Sequence, residues 1–237
     1  MTVKLPDVTL VAIDSVAHDL TRIAIEDTLR QIEPSECLIF TDRAEAFAIS
    51  GSVIHVVLAK LNSYDAVARA LWHEVPLHVR TSHFLTVQYD GWVLDGAAWR
   101  PEWLDCDYIG ARWGWHGDGL EVGNGGFSLR STAMMRWLAL RPDRFPPAHP
   151  EDDTLCRRYR GALEREGFAW ADAAEARRFS FERSEPRPTF GYHGLFNWPR
   201  ILDPVALRRR IELANDYVRG KSEWGEMMAA ARGVLAA

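Results

Sequence analysis

The sequence predicts an α/β protein in which helices flank a central sheet. Short apolar runs of strand length recur through the first part of the chain, and segments with helical periodicity separate them. This alternation is typical of sheets with parallel strands. The chain has 237 residues, of which 47% are hydrophobic and 26% are charged. A chain of this size can bury a stable core without disulfides or a structural metal.

Four apolar runs predict the strands, at residues 8–13, 37–40, 53–58 and 81–89. An aspartate stands at or directly after the end of three of them: Asp14, Asp42 and Asp90. Open α/β sheets bind ligands at the carboxyl ends of their strands, so three carboxylates there indicate a polar ligand site. The alternative is structural, because aspartate is also common in the turns that follow strands.

Helical periodicity predicts the remaining elements, at residues 18–31, 62–72, 151–166, 203–218 and from 222 onward. Ser131 is expected to cap a further short helix. Asp203 followed by Pro204 is a typical helix start. We expect one domain over residues 1–200 and a C-terminal helical appendage over residues 201–237.

Composition excludes several classes of protein. The net charge of −5 is unfavourable for a nucleic-acid-binding protein. Three cysteines without metal-ligand spacing argue against a secreted disulfide framework. We find no signal peptide and no apolar stretch of the roughly 18 residues that a transmembrane segment needs. The sequence therefore predicts a cytoplasmic protein, with peripheral membrane association left open.

Four short motifs could support chemistry, and each has a structural alternative. Asp90-Gly91 after a strand could hold a divalent cation or form a turn. The Gly123–Gly126 segment could line a cleft or form a tight turn. The acidic run from Glu151 could supply a general base or stabilise a helix N-terminus. His193 on a glycine-rich segment could bind a metal or phosphate, or neither.

In sequence order, these motifs resemble a known family. The segments are Val-Thr-Leu-Val-Ala-Ile-Asp at 8–14, Phe-Thr-Asp at 40–42, Val-Gln-Tyr-Asp-Gly at 87–91, Asp-Tyr-Ile-Gly-Ala at 107–111, Val-Gly-Asn-Gly-Gly-Phe-Ser-Leu-Arg-Ser at 122–131, Pro-Glu-Asp at 150–152 and His-Gly-Leu-Phe-Asn at 193–197. The chain resembles the bacterial DUF5672 family over about residues 5–200. More distantly, its layout is similar to GT-A glycosyltransferases. That resemblance implies a Rossmann-like mixed central sheet flanked by helices.

The resemblance also implies roles for individual residues. Gln88-Tyr89-Asp90 aligns with the metal-binding Asp-X-Asp motif, so Asp90 is the expected ligand of Mn²⁺ or Mg²⁺, with His193 as a second ligand. Asp152 would be the catalytic base, and Glu151 would contact the acceptor. The expected nucleotide-sugar pocket comprises Ala12, Asp14, Thr41, Asp42, Gln88, Asp90, Asn124, Gly125 and Gly126.

These roles together imply a metal-assisted glycosyltransferase that moves a sugar from a nucleotide-sugar donor to the hydroxyl of a glycan or other acceptor. A UDP-sugar and inverting chemistry are favoured. Five tryptophans between Trp92 and Trp115 would form an acceptor platform or pack in the core. Two alternatives stay open. A sugar nucleotidyltransferase would show a basic glycine-rich loop after the first strand, and a non-catalytic carbohydrate-binding protein would ignore the nucleotide.

Overall fold

The computed structural model describes residues 2–49, 53–57, 61 and 63–236. Its centre is a mixed sheet of six strands in the order β3-β2-β1-β4-β6-β5. The strands are β1 (Val3–Ile13), β2 (Ile32–Thr41), β3 (Val53–Val57), β4 (His83–Val87), β5 (Tyr108–Ile109) and β6 (Ser128–Ser131). The first four run parallel to one another, and β6 lies antiparallel between β4 and β5.

Helices and two short strands surround this sheet. The helices are α1 (His18–Gln31), α2 (Tyr64–Arg69), α3 (Val75–His78), α4 (Thr132–Ala139), α5 (Glu151–Asp153), α6 (Arg160–Arg165), α7 (Ala173–Phe179), α8 (Trp198–Ile201), α9 (Pro204–Leu213), α10 (Asp216–Arg219) and α11 (Trp224–Ala236). A parallel pair, β7 (Ser180–Phe181) and β8 (Gly191–Tyr192), lies outside the main sheet. Turns of π-helix at Ala70–Glu74 and Thr154–Arg158 follow α2 and α5.

Most predicted elements are present, with shifts at their ends. The helix at 18–31 has the predicted bounds, and Ser131 caps α4 by accepting from the Met134 N–H. The predicted helix at 203–218 instead ends at Leu213, because Asn215 caps a separate α10. The charged helix predicted over 151–166 is interrupted by a π turn. Residues 58 and 62, at the ends of two predicted elements, lie outside the described residues.

The core has two layers because alternate residues of β1 face opposite sides of the sheet. Val11 packs with Phe40, Trp72 and Met134 on one face. On the other face, Leu10 and Ala12 pack with residues that include Ile39, Leu85 and Phe127. Both layers contain buried tryptophans: Trp72, Trp113 and Trp170 lie in the first and Trp103 lies in the second.

A third cluster joins the C-terminal helices to the rest of the molecule. Leu207, Val218 and Met227 are completely buried there, against Leu20 of α1 and Trp92 among others. The domain boundary at residue 200 stays a prediction, but the helices beyond it share this core with α1. No helix within residues 2–49, 53–57, 61 and 63–236 is long and apolar enough to cross a membrane.

Candidate active site

A cavity of about 820 Å³ opens at the carboxyl ends of the parallel strands. Asp14 lines it at the end of β1, and Gln88 and Asp90 line it after β4. From the second half of the chain come His193, directly after β8, and Lys221, which lies between α10 and α11. The cavity therefore has the position that sequence patterning predicts for a ligand site.

Asp90 and His193 meet at this cavity. Gln88 and Gly91 exchange backbone hydrogen bonds, a tight turn that holds Asp90 at the strand end. The Gly194 N–H donates to the Asp90 carbonyl oxygen at 2.8 Å, which fastens the histidine segment to that turn. As a result, Nε2 of His193 lies 3.6 Å from Oδ1 of Asp90. Both atoms are buried and have no hydrogen-bond partner among the described residues.

Glu182 completes this cluster, and the sequence analysis did not single it out. Its Oε1 lies 3.3 Å from Nδ1 of His193, and its Oε2 is buried without a partner in the described part of the chain. Burial disfavours a charged imidazole, but Asp90 and Glu182 outweigh it and raise the pKa of His193 to about 9. Burial also raises the pKa of Asp90, although His193 opposes that shift.

The glycine-rich loop at Gly123–Gly126 packs directly on His193. A Cβ atom at Gly126 would lie 2.1 Å from Nε2 of His193, so a side chain at this position would collide with the imidazole ring. Asn124 adopts a φ of 76°, and its Oδ1 accepts hydrogen bonds from the N–H groups of Gly126 and Phe127. The loop therefore packs closely against the histidine and forms a turn at residues 125–126, and residues 123–126 are not among the described residues that line the cavity.

Asp152 lies against the same loop. The Gly125 N–H donates to its Oδ2 at 3.0 Å, and the Asp153 N–H donates to its Oδ1 at 3.0 Å. Burial, followed by the neighbouring charge of Glu151, raises the pKa of Asp152. The negative charge of Asp152 also contributes to the raised pKa of His193, so the two groups interact. Its role as a base stays a prediction.

Glu151 has a different environment from the one expected for an acceptor contact. The buried guanidinium of Arg130 donates to both of its carboxylate oxygens, at 2.6 and 2.9 Å. Trp72 Nε1 donates to Oε1 as well, at 2.5 Å. These bonds occupy both oxygens and neutralise the charge of Arg130. The geometry favours a structural role for Glu151, in which it anchors the start of α5 to β6.

Some of the residues expected to bind the nucleotide line the cavity, and others are buried or paired elsewhere. Asp14 lines the cavity; its Oδ1 accepts from the Val16 and Ala17 N–H groups, whereas its buried Oδ2 has no partner among the described residues. Ala12 and Thr41 are completely buried, which leaves neither side chain a surface for the predicted contact. Asp42 pairs with Nε2 of His18 at 2.9 Å. Asn124 is also buried, at 1% exposure.

Lys221 is a further cavity residue that sequence reasoning missed. Its Nζ donates to the hydroxyl oxygens of Tyr64 and Tyr217, at 2.6 and 2.8 Å. All three residues line the cavity, and Lys221 is the only lysine or arginine among its described lining residues. The signal available from the sequence was the scarcity of lysine, because Lys221 is one of only three in the chain.

The carboxylate of Asp90 and the imidazole of His193 are side chains of the kind that bind divalent cations. No group of three or more His, Cys, Asp or Glu side chains in the described ranges forms a complete metal site. Oδ1 of Asp90 and Nε2 of His193 have no hydrogen-bond partner in the described ranges and lie beside an open cavity, and a bound cation would displace the proton that the raised pKa keeps on the imidazole. Magnesium-type sites commonly take one or two protein ligands and complete their shell with substrate phosphates and water. Glu182 occupies the position behind the histidine that typically orients a ligating imidazole.

The family model for DUF5672, described as a protein of unknown function, matches residues 58–193. This match covers more than half of the chain. The chain belongs to the DUF5672 family. The matched range includes the Gly123–Gly126 segment, and Asp90, Asp152 and His193 all lie within it. No curated protein sequence matches this DUF5672 protein.

Solved structures show its fold. The mannosyltransferase PcManGT from Pyrobaculum calidifontis, in complex with GDP-Man and Mn²⁺, matches with a TM-score of 0.52 at 10% identity, over 99% of this chain and 76% of that one. The galactosyltransferase LgtC, in complex with donor and acceptor sugar analogs, matches with a TM-score of 0.46 at 14% identity, over 90% of this chain and 99% of that one. The first match confirms the expected GT-A-like fold, and the second is too distant to support an inference.

Proposed function

We propose that this DUF5672 protein is a metal-assisted glycosyltransferase that uses a nucleotide-sugar donor, with a UDP-sugar favoured. The observation that supports this most is the buried pair of Asp90 and His193, whose unpartnered atoms lie at the edge of the 820 Å³ cavity. Buried polar groups normally have partners, so two unpartnered ones beside a cavity indicate a ligand. The GDP-Man and Mn²⁺ bound to the similar mannosyltransferase are consistent with this class of ligand.

Two groups that line the cavity are complementary to the donor. Asp14 Oδ2 is an acceptor without a partner among the described residues and is available to a sugar or ribose hydroxyl. Lys221 carries a positive charge that attracts a diphosphate. The volume is within the range that small-molecule pockets have, roughly 300–1,000 Å³.

A cation held by Asp90 and His193 would offset the negative charge that develops on the diphosphate as it leaves. The side chains of this chain supply the other steps. Glu182 holds the His193 ring through Nδ1, and Gly126 of the glycine-rich loop packs close to Nε2 of the same ring. Asp152 accepts the proton of the acceptor hydroxyl. The hydroxyl oxygen then forms a bond to the anomeric carbon, and the bond from that carbon to the phosphate oxygen breaks, with its electron pair leaving on the nucleoside diphosphate.

A thermal-shift panel of nucleotide sugars with and without Mn²⁺ tests this proposal. A ligand that binds only the folded state raises the melting temperature. We expect one class of nucleotide sugar to stabilise the protein only when the metal is present. Asp90→Asn should abolish that shift, whereas the exposed Asp7→Asn should retain it as a matched control. Stabilisation by free sugars alone would favour a carbohydrate-binding protein, and turnover of a nucleoside triphosphate with a sugar phosphate would favour a nucleotidyltransferase.

A further inference from the structure

A second concave surface, which we name the arginine groove, is lined in part by chain neighbours of Glu182. It encloses about 360 Å³ and is lined by Arg112, Gly114, Trp115, Arg177, Ser180, Arg183, Ser184 and Arg187. Four of these eight residues are arginines, and none is acidic. The protein has a net charge of −5, so a local concentration of positive charge is contrary to its overall composition.

Two of the four arginines are uncommitted. Arg112 pairs with Glu121, and Arg183 pairs with Glu226. Arg177 and Arg187 are exposed, and within the described ranges their guanidinium groups take part in no ion pair, hydrogen bond or ring contact. Guanidinium groups bind phosphate with two parallel hydrogen bonds, a geometry that lysine cannot reproduce. The groove therefore presents two free groups of the kind that recognise phosphate.

Two further features of the groove indicate a ligand. Ser180 is 1% exposed, and its hydroxyl has no partner in the described part of the chain. A buried hydroxyl without a partner is costly unless something binds it. Trp115 is 55% exposed, in contrast to the buried Trp92, Trp103 and Trp113. Its open ring is a flat apolar surface beside the arginines.

Two segments of the chain contribute residues to the arginine groove and continue into residues of the active site. Ser180 belongs to β7, and Glu182, which holds His193, follows two residues later. Arg183 stacks on the ring of Phe196, 3.6 Å from its centroid, and Phe196 lines the cavity. On the other side, Trp115 lies two residues after Trp113, whose ring packs against Gly123 of the glycine-rich loop. Residues of the groove therefore adjoin, in the chain or by direct contact, residues that line the cavity or pack on His193.

We propose that the arginine groove binds a phosphate group of the acceptor, and that Trp115 contacts the sugar ring which carries it. The identification of this ligand as the acceptor rests on the proposed glycosyltransferase function. Arg177 and Arg187 hold the phosphate, and the hydroxyl of Ser180 donates a hydrogen bond to it. A phosphorylated sugar and a lipid headgroup both carry such a phosphate, and the groove would recognise either one through this shared group.

The test measures binding of glucose 6-phosphate, with glucose as the neutral comparison, by isothermal titration calorimetry and saturation-transfer NMR. We expect glucose 6-phosphate to bind and glucose not to bind. The double variant Arg177→Gln with Arg187→Gln should weaken binding by about tenfold or more, because hydrogen bonds to charged groups are lost. The double variant Arg208→Gln with Arg209→Gln removes the same charge from exposed positions on α9 and should bind like the parent. Trp115→Ala should weaken binding of glucose 6-phosphate more than that of inorganic phosphate.

Vesicles separate the two sources of phosphate. The second probe is a phosphatidylcholine vesicle that contains phosphatidylglycerol. If the parent binds these vesicles but not glucose 6-phosphate, and the Arg177 and Arg187 variant loses vesicle binding, the phosphate belongs to a lipid headgroup. The proposal is overturned if the parent binds neither glucose 6-phosphate nor the vesicles. It is also overturned if the two double variants lose the same amount of binding affinity. UDP with Mn²⁺ should stabilise the Arg177 and Arg187 variant as it does the parent. If the parent binds glucose 6-phosphate but no nucleotide sugar, the phosphate site in the groove is supported. The proposed glycosyltransferase function is then contradicted.

Discussion

Oδ1 of Asp90 lies 3.6 Å from Nε2 of His193, although the two residues are far apart in the sequence. The hydrogen bond from the Gly194 N–H to the Asp90 carbonyl oxygen joins their two segments. Glu182 contacts the other nitrogen of the same imidazole. One histidine thus lies between two carboxylates, and this arrangement gives rise to several measurable consequences.

The first consequence concerns the protonation of His193. Its neighbours Asp90, Glu182 and Asp152 raise its pKa to about 9, so the folded protein binds a proton there more tightly than the unfolded chain does. This contribution to stability is complete below the ordinary histidine pKa of 6.5 and is lost as the pH rises through about 9. In metal-free buffer, the free energy of unfolding from urea titrations should therefore fall over this range.

Glu182→Gln provides the variant for this prediction. It preserves the shape of the side chain but removes one of the charges, so the pKa of His193 measured by NMR should decrease. The control Glu185→Gln changes an exposed carboxylate that pairs with Arg200 and should leave this pKa unaltered. An unchanged His193 pKa in Glu182→Gln would show that Glu182 does not hold the ring.

Gly126→Ala tests the contact between the glycine-rich loop and His193. The added Cβ would lie 2.1 Å from Nε2, so either the loop or the imidazole must move. Overpacking of this kind costs about 1–3 kcal/mol, and the displacement should also weaken metal-dependent nucleotide binding. Gly117→Ala is a matched control because nothing lies within 4 Å of its added Cβ. Parental stability and binding in Gly126→Ala would refute this close packing.

Much of the fold was predictable from the sequence, whereas much of the site was not. The helix at 18–31 and the parallel strands follow from apolar periodicity, which is a local property. Strands β5 and β6 are too short to show it, since they comprise Tyr108–Ile109 and Ser128–Ser131. Their placement depends on the pairing of β6 with β4 and of β5 with β6, which is a long-range property.

The site shows the same distinction between local and long-range information. Asp90, Asp152 and His193 stand in local sequence motifs, so they can be proposed from the sequence alone. Glu182 and Lys221 have no local motif, because their significance arises only when the fold brings them to His193 and to the cavity. Glu151 differs: the family resemblance implies an acceptor contact, whereas in the structure its oxygens accept hydrogen bonds from Arg130 and Trp72, an arrangement that only the fold reveals.

Lys221→Met tests whether the C-terminal segment contributes to the donor site. Methionine retains much of the length of the side chain and removes the positive charge. We expect affinity for a nucleoside diphosphate to fall by about tenfold, since a charged hydrogen bond is lost, while affinity for the nucleoside alone changes little. Calorimetric titrations with UDP and uridine measure both values. An equal loss for the two ligands would indicate a general distortion of the cavity and not a phosphate contact.

Asp152→Asn tests the proposed base. The amide retains the shape of the side chain but cannot accept the proton of the acceptor hydroxyl, so transfer should slow by about 10²–10⁴-fold. Binding of the donor should persist, because the loop contact through Gly125 can be kept by the amide oxygen. Asp153→Asn, at an exposed neighbouring position, is the matched control. Parental turnover in Asp152→Asn would remove this residue from the proposed mechanism.

Binding of Mn²⁺ in the presence of UDP tests whether Asp90 and His193 form the metal and donor site. Electron paramagnetic resonance measures the free ion, so the bound fraction follows from the loss of its signal. We expect the parent protein to bind Mn²⁺ together with UDP. Asp90→Asn and His193→Gln should each lose this binding, whereas Asp7→Asn and His73→Gln should retain it. Binding of Mn²⁺ and UDP that survives in both Asp90→Asn and His193→Gln would contradict the assignment of this pair as the metal and donor site.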